Sequence, residues 1–255
     1  MSGISGISGS GSSYMSQLAS GTRIQSAADG ASELSIIEKM KAQINGYDQG
    51  VENTKDAQSM LNVADGAYDE ITSNLQRMRE LAIQAGNTAV LSDDDIASIQ
   101  DEIDQLKKQI SQAADTTEFN GKKLLDGSNQ TLNIQIGANS GESSTVSTGD
   151  ATLEALGIAD FDVTGDFDVQ TIDDALAKVS KNRSEIGAKS NMFDYVIDYH
   201  SQLSYNLTNS MSRMSDTDYA KTVPEQKKQE LLQSIRFIMQ KRQAEQQRQT
   251  LNLFV

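Results

Sequence analysis

Residues 57–82, AQSMLNVADGAYDEITSNLQRMRELA, carry the clearest packing pattern in this 255-residue chain. Their apolar and small side chains recur at alternating steps of four and three residues: Ala57, Leu61, Ala64, Tyr68, Ile71, Leu75, Met78 and Ala82. This heptad spacing predicts one long helix with a single packing seam, about 39 Å long at 1.5 Å per residue. A rod of that length cannot bury its seam against itself, so other parts of the chain must supply its partners.

The neighbouring residues extend the rod and add a second helix. Ser26 or Asp29 is suited to cap a helix that runs into the seam, with a slip of phase near Thr54. Gly86-Asn87 ends this helix, and Ser92 with three following Asp residues begins the next, because acidic side chains favour a helix N-terminus. The stripe of the second helix is Ile96, Ile99, Ile103, Leu106, Ile110 and Ala113.

A third stripe is long enough to pack along both N-terminal helices. It keeps the four-three alternation from Ile172 to Met214 and predicts a helix of about 65 Å. The short polar turn between the first two helices favours an antiparallel pair, and the third helix ties the two halves of the chain together. The members of the third stripe are Ile172, Leu176, Val179, Arg183, Ile186, Ser190, Phe193, Ile197, His200, Ser204, Leu207, Met211 and Met214.

The segment between the helical stripes has a different period. GKKLL at residues 121–125, the Asp126-Gly127 turn and the alternating Leu132, Ile134 and Ile136 predict a short β-hairpin at about 119–138. The acidic residues 139–170 predict a short tip loop. The expected fold is therefore mainly α: an elongated antiparallel helical bundle or coiled-coil rod with a short β-hairpin, plus terminal helices that form a separate core segment.

Composition excludes several classes of function. A formal net charge of −14 without a basic stripe argues against nucleic acid as a partner. The chain has no Cys, so disulfides and thiolate metal sites are excluded. No apolar run is long enough to span a bilayer, and residues 1–14 lack the features of a cleaved secretory signal. No phosphate loop, activated nucleophile or paired carboxylate is evident, so we expect no enzyme and no cofactor.

The C-terminal segment differs chemically from the rest. Residues 221–248 contain seven Lys or Arg against three Glu, within a strongly acidic chain. Leu232, Ile235 and Met239 fall on one face of the predicted helix, and the chain ends in the apolar TLNLFV. An apolar stripe on a terminal helix that has no partner left within the chain predicts burial against other chains.

Four collinear motifs resemble those of bacterial flagellin. LASGTRIQSAADGAS at residues 18–32 is similar to the family's N-terminal segment, and LQRMRELAIQA at 75–85 to its characteristic "LQRVRELAVQ". TEFNGKKLLDGSNQTLNIQIGANSGE resembles the hairpin region. RSEIGAKSNMFDYVIDYHSQLSYNLTNSMSRMSDTDYAKTV resembles the C-terminal rod helix. The resemblance implies a minimal flagellin that lacks outer domains and has a shortened, Gly/Ser-rich N-terminus.

The resemblance also implies how the chain is organised and where it works. Residues 1–27 and 215–255 would form a discontinuous terminal core-type segment, and residues 28–214 a helical rod domain. The chain would be a structural subunit of the motility filament, secreted by flagellar type III export without a cleaved signal peptide. Its implied partners are other copies of itself, an export chaperone at the C-terminal segment, hook-associated proteins and the host Toll-like receptor 5. Neither nucleic acid nor membrane insertion is implied.

Two sets of contact residues are expected. For recognition by Toll-like receptor 5, the positions that carry over from the resemblance are Arg77, Leu81, Glu102, Leu75, Gln76 and Arg79. For self-assembly, the apolar residues of the terminal helix and of the chain end are Leu231, Leu232, Ile235, Ile238, Met239, Leu251, Leu253 and Phe254. An Arg is a suitable anchor at an interface because its stem packs while its guanidinium forms directed hydrogen bonds.

Alternative readings remain open at this point. The chain is compatible with a hook–filament junction protein, or with a flagellin that assembles poorly and acts mainly as a receptor ligand. His200, the only histidine, occupies a seam position and is expected to be structural. The acidic run Asp160, Asp162, Asp166 and Asp168 lacks the closing Glu of a calcium loop and is expected to be solvated.

Overall fold

The computed structural model describes residues 15–128 and 131–252. Residues 15–20 are helical. The elements that follow are the helices α1 (Ala27–Ala85) and α2 (Asp93–Thr116), the strands β1 (Glu118–Phe119), β2 (Lys122–Lys123), β3 (Leu132–Gln135) and β4 (Ser143–Val146), and the helices α3 (Leu153–Leu156), α4 (Gln170–Ser215) and α5 (Tyr219–Asn252). The fold is mainly helical, as the stripes predict.

The predicted seam of α1 is buried along its whole length. All eight of its members, from Ala57 to Ala82, are at most 3% exposed. The expected phase slip lies inside an unbroken stretch of α1, where Thr54 is fully buried and donates its hydroxyl to the Gly50 carbonyl at 2.6 Å. The stripes of α2 and α4 join the same core cluster through Ile103, Ile110, Val179, Ile186 and Phe193.

Polar bonds between α1 and α4 define their relative direction. Ser204 donates to Asp48, Gln58 to Asp194, and Arg183 to both Asp65 and Asp69. As the partner on α1 moves towards the C-terminus, the partner on α4 moves towards the N-terminus. The two helices are therefore antiparallel, as predicted.

The helix beginnings match the predicted caps. Ser92 accepts the Asp95 backbone N–H, and the Asp95 carboxylate accepts the Ser92 N–H and hydroxyl, which completes a capping box for α2. The bonds from the Ser92 side chain and backbone hold the pKa of Asp95 below its ordinary value. At the start of α1, the Asp29 carboxylate accepts the Ser26 N–H at 2.9 Å.

The single β-hairpin predicted at 119–138 is wrong. Its two halves belong to separate two-stranded antiparallel sheets: β1 pairs with β2, and β3 pairs with β4. The first is a tight hairpin in which Asn120 and Gly121 both adopt positive φ, 49° and 74°. That geometry suits the Asn-Gly pair because glycine carries no Cβ and asparagine tolerates the left-handed region.

The region 139–170 is more ordered than the predicted tip loop. It contains β4 and the one-turn helix α3. The irregular chain after α3 packs onto the helical core, and the Val163 N–H donates to the Gln100 side chain of α2 at 2.9 Å. An acidic, Gly- and Ser-rich composition hid the apolar positions that anchor it. Its buried apolar residues are Val146, Ala151, Leu156, Ile158, Phe161 and Val163.

Two glycines of α1 allow the chain after β3 to approach the helix closely. A Cβ on Gly50 would collide with the Ile136 carbonyl oxygen and lie 2.7 Å from its carbon. A Cβ on Gly46, one turn earlier, would lie 2.9 Å from the Ala138 Cα. Glycine inside a helix is unfavourable by roughly 1 kcal/mol relative to alanine, so both positions are explained by this close packing.

Tyr68 links α1, α4 and the segment after β4. Its ring is fully buried, and its hydroxyl donates to the Thr148 carbonyl at 2.8 Å and accepts the Asn182 amide at 3.0 Å. Burial raises the pKa of Tyr68 to about 12. Gly149 lies against this hydroxyl with a φ of +82°.

Tyr68→Phe is expected to lower the free energy of unfolding by about 1–3 kcal/mol, because the buried Thr148 carbonyl loses its donor. In the wild type, the unfolded phenol ionises near pH 10 and the folded one near pH 12. The stability that the neutral Tyr68 hydroxyl contributes is therefore complete below about pH 10 and is lost as the pH rises to about 12.

Denaturant unfolding at neutral pH measures the loss of stability in Tyr68→Phe. An alkaline absorbance titration tests the ionisation of Tyr68, since the variant should lack the phenolate that appears near pH 12.

The contacts divide the chain into two compact units. One comprises residues 45–204, and the other the described residues up to 44 together with those from 205 to 252. The predicted terminal segment and rod domain, with boundaries at 27/28 and 214/215, stay predictions.

Candidate interaction surfaces

Arg77 is the centre of an exposed polar cluster on α1. Its guanidinium Nε donates to the Glu102 carboxylate on α2 at 2.8 Å, and its Nη1 pairs with Glu80 at 3.2 Å. The Arg77 side chain is 49% exposed and that of Glu102 is 46% exposed. Hydrogen bonds to the two carboxylates, with Glu102 the larger contributor, raise the pKa of Arg77 above its ordinary value. The cluster therefore presents a permanently charged, pre-oriented guanidinium with donor edges still open to water.

Two polar residues beside Arg77 are also exposed, and one of them forms an ion pair. Gln76 is exposed. Arg79 is also exposed and pairs with Asp173 at the start of α4, with Nε 2.6 Å from the carboxylate. Four of the six predicted receptor-contacting residues are thus accessible on the unit 45–204: Arg77, Gln76, Arg79 and Glu102.

The other two predicted receptor residues lie in the core. Leu75 is fully buried and Leu81 is 2% exposed, and both belong to the main apolar cluster. Leu75 belongs to the predicted seam. Leu81 lies outside that seam and is buried because α1 packs against more than one neighbour, so its buried face is wider than predicted. Leu75 and Leu81 thus lie beneath the exposed residues of this surface, and their part in receptor recognition stays a prediction.

α5 carries an exposed apolar face. Leu231 is 60% exposed, Ile235 47% and Met239 61%, and helical spacing places them on one side together with Leu232 and Ile238. Basic residues border this side, with Lys228 and Arg242 a turn before and after it. Phe237 is exposed on a different side of the helix and is not among the predicted assembly residues. The remaining predicted assembly residues fall elsewhere: the side chain of Leu251, and Leu253 and Phe254 entirely, lie outside the described residues.

The start of α5 is tied to the chain before α1. Thr217 donates its backbone N–H to the Gly21 carbonyl at 2.9 Å, and Arg23 donates its backbone N–H to the Ser215 carbonyl at 2.6 Å. The Tyr219 hydroxyl donates to the Leu18 carbonyl at 3.1 Å. Residues 15–26 thus pair with the junction of α4 and α5, which fixes where the terminal helix begins.

The described residues offer no metal centre and no membrane span. In residues 15–128 and 131–252, no group of three His, Asp or Glu side chains is placed to hold a metal ion. Over the same ranges, the helices are too polar or too short to cross a bilayer. His200 is 8% exposed and lies against the rings of Tyr47 and Tyr199, with centroids 5.1 and 5.6 Å away.

Sequence comparison gives the family of the chain. Residues 1–130 match the bacterial flagellin N-terminal helical region, and residues 169–254 match the bacterial flagellin C-terminal helical region. The chain belongs to the flagellin family. Flagellins are structural subunits of the bacterial flagellar filament, so the chain is a non-enzymatic building block of an extracellular homopolymer.

Individual relatives agree with this assignment. The chain is 41% identical over 221 residues to a flagellin of Halalkalibacterium halodurans, covering 84% of this chain and 81% of the relative. It is 37% identical over 255 aligned residues to the flagellin of Bacillus subtilis, covering 86% and 84%. With the flagellin of Salmonella dublin the identity is 42% over 154 residues, which are 60% of this chain and 30% of that one.

Solved structures share the fold. The crystal structure of Bacillus cereus flagellin aligns with a TM-score of 0.52 and 29% identity, covering 58% of this chain and 88% of that one. A putative flagellar hook-associated protein from Vibrio parahaemolyticus aligns with a TM-score of 0.61 over 74% of this chain and all of that one. At 16% identity, the second likeness shows the fold alone and gives no support to the junction-protein alternative.

Proposed function

We propose that the chain assembles into the filament through the exposed apolar face of α5, paired in the polymer with the N-terminal segment. The observation that carries the proposal is the exposure of five aliphatic side chains on one side of a helix: Leu231, Leu232, Ile235, Ile238 and Met239. Soluble proteins rarely leave such a stripe open unless a partner covers it. In a homopolymer, the available partner is the same segment of other subunits.

The charge of α5 is consistent with this role. Residues 221–248 are basic, whereas the chain as a whole has a net charge of −14. A basic helix moderates the repulsion between acidic subunits as they come together. This electrostatic contribution is screened by salt, so assembly at high ionic strength depends on the apolar contacts.

Electron microscopy of the purified full chain, combined with a pelleting assay over a series of concentrations, tests the proposal. Filaments should form above a critical concentration, and monomers should be incorporated onto added filament fragments. A chain that stays monomeric at high concentration and fails to extend fragments would contradict it. That result would favour the alternative of a flagellin that acts mainly as a receptor ligand.

A second candidate function is recognition by Toll-like receptor 5. The Arg77–Glu102 cluster, with Gln76 and Arg79 beside it, gives a half-exposed guanidinium held between carboxylates at the junction of α1 and α2. Such an Arg anchors an interface well, since it enters the contact with its orientation already restricted. Leu75 and Leu81 would support this surface from beneath.

Arg77→Ala is expected to weaken binding to the receptor ectodomain by about tenfold or more, the effect of losing a central Arg anchor. The melting temperature should change little, because an exposed ion pair contributes at most about 1 kcal/mol. Lys55→Ala is the matched control: it removes an exposed ion pair on the same helix, with Glu52, about 33 Å along the axis. Surface plasmon resonance and thermal unfolding measure the two effects.

Leu81→Ala separates direct contact from support. It should lower the free energy of unfolding by about 2–5 kcal/mol through a cavity in the core, and affect receptor binding only as stability falls. Equal binding by wild type and Arg77→Ala, at unchanged stability, would rule out the proposed receptor surface.

The exposed face of α5 also bears on the remaining partners. We infer that the C-terminal segment is held by an export chaperone before secretion, because an uncovered aliphatic face would otherwise promote association inside the cell. Export is by the flagellar type III apparatus. Hook-associated proteins meet the subunit at the filament ends and use the same terminal helices.

A further inference from the structure

The described methionines differ sharply in exposure. Met60 and Met78 are 5% and 0% exposed in the core, whereas Met15 and Met239 are 57% and 61% exposed. The sulfur of Met15 accepts a hydrogen bond from the Gln226 amide at 2.9 Å, which withdraws electron density from its lone pair. Within the described residues, no hydrogen bond reaches the Met239 sulfur. Met239 therefore combines high exposure with an unengaged sulfur.

Oxidation of the Met239 sulfur would change the apolar face of α5. Met239 lies on the apolar face of α5, one turn after Ile235 and two turns after Leu232. Methionine sulfoxide is polar and carries a strong hydrogen-bond acceptor, unlike the thioether. Covering that acceptor with aliphatic side chains would leave it without a donor, which opposes burial of the face.

We propose that Met239 is an oxidation site of the unassembled subunit, and that its sulfoxide inhibits assembly. The oxidants belong to the peroxide and hypohalous acid class, and the inhibition rests on the proposed function of the α5 face. Assembly in turn covers the sulfur, so a subunit in the filament is protected. Modification therefore acts on subunits before they join the polymer.

The reaction balances with hydrogen peroxide as the oxidant. The thioether lone pair attacks one peroxide oxygen, an S–O bond forms and the O–O bond breaks. After proton transfer the second oxygen leaves as water. Sulfur loses two electrons and the peroxide gains them, and no backbone bond changes.

Limited treatment of the monomer with hydrogen peroxide, followed by peptide mass spectrometry, tests the site. Met239 should gain one oxygen atom faster than Met15, and Met78 should react only after unfolding. The critical concentration of the treated chain is expected to rise by about tenfold or more, as for a polar group buried without a partner. Each variant is compared with its own untreated sample: Met239→Leu should show a treated-to-untreated ratio near one, and Met15→Leu should remain sensitive.

The outcomes separate this proposal from the proposed function. If Met239 is fully converted to sulfoxide and assembly is unchanged, while Ile235→Asp abolishes assembly, the oxidation proposal is overturned and the α5 face stands. If neither change affects assembly, both are overturned. Preferential oxidation of another methionine, or equal sensitivity of Met239→Leu, also overturns the proposal.

Discussion

Gly50→Ala is expected to lower the free energy of unfolding of the unit 45–204 by about 2 kcal/mol. The added methyl group meets the backbone of Ile136 and Gly137, the latter nitrogen at 3.1 Å, and backbone cannot rotate aside as a side chain can. Overpacking costs about 1–3 kcal/mol, with the upper end expected against backbone, and the gain of about 1 kcal/mol in helix propensity offsets part of this cost. The chain after β3 must therefore move away from α1, or the helix must bend.

Gly66→Ala is the matched control on the same helix. A Cβ at Gly66 meets nothing within 4 Å, so the substitution should raise the free energy of unfolding by about 0.5–1 kcal/mol. Urea unfolding followed by circular dichroism measures both variants. Two substitutions with the same chemistry should shift stability in opposite directions; a stabilising Gly50→Ala would show that the close approach of residues 136–138 to α1 is wrong.

Ile235→Asp is expected to raise the critical concentration for filament formation by about a hundredfold or more. The carboxylate would lie at the centre of the α5 apolar face, and burying an unpaired charge costs several kcal/mol, of which about 2.7 kcal/mol corresponds to a hundredfold. Because Ile235 is 47% exposed in the unassembled subunit, the substitution should leave the subunit folded. Pelleting of polymer over a concentration series gives the value.

Gln233→Asp provides the comparison for this variant. Gln233 is exposed on the opposite side of α5, and the change introduces the same side chain with the same helix propensity. The critical concentration should stay close to that of the wild type. Equal inhibition by both variants would mean that added charge, and not the apolar face, controls assembly.

The sequence predicted α1, α2 and α4 well because each repeats its apolar spacing over many turns. The seam at Ala57–Ala82 and the cap at Ser92 rest on local periodicity and local hydrogen bonds, which a single chain displays directly. The burial of Leu81 did not follow from that periodicity. A seam describes one neighbour, whereas α1 contacts both α2 and α4, and only the tertiary arrangement shows how wide the buried face is.

The pairing of the strands could not be predicted from local sequence patterns, for a different reason. β1 and β2 have two residues each, too few for an alternation to be visible. β4 reads SSTV and contributes one large apolar side chain, so its pairing with β3 gives little signal in the sequence. On α5, the spacing predicted an apolar face correctly, but spacing alone does not identify what covers that face.

Hydrogen–deuterium exchange of α5, compared between the monomer and the filament, tests whether polymerisation buries the face containing Leu231, Ile235 and Met239. We expect rapid exchange of amides 228–245 in the monomer, because the described residues leave this part of the helix largely exposed. In the filament the same amides should be strongly protected. Filaments in which these amides exchange as fast as in the monomer would contradict this burial.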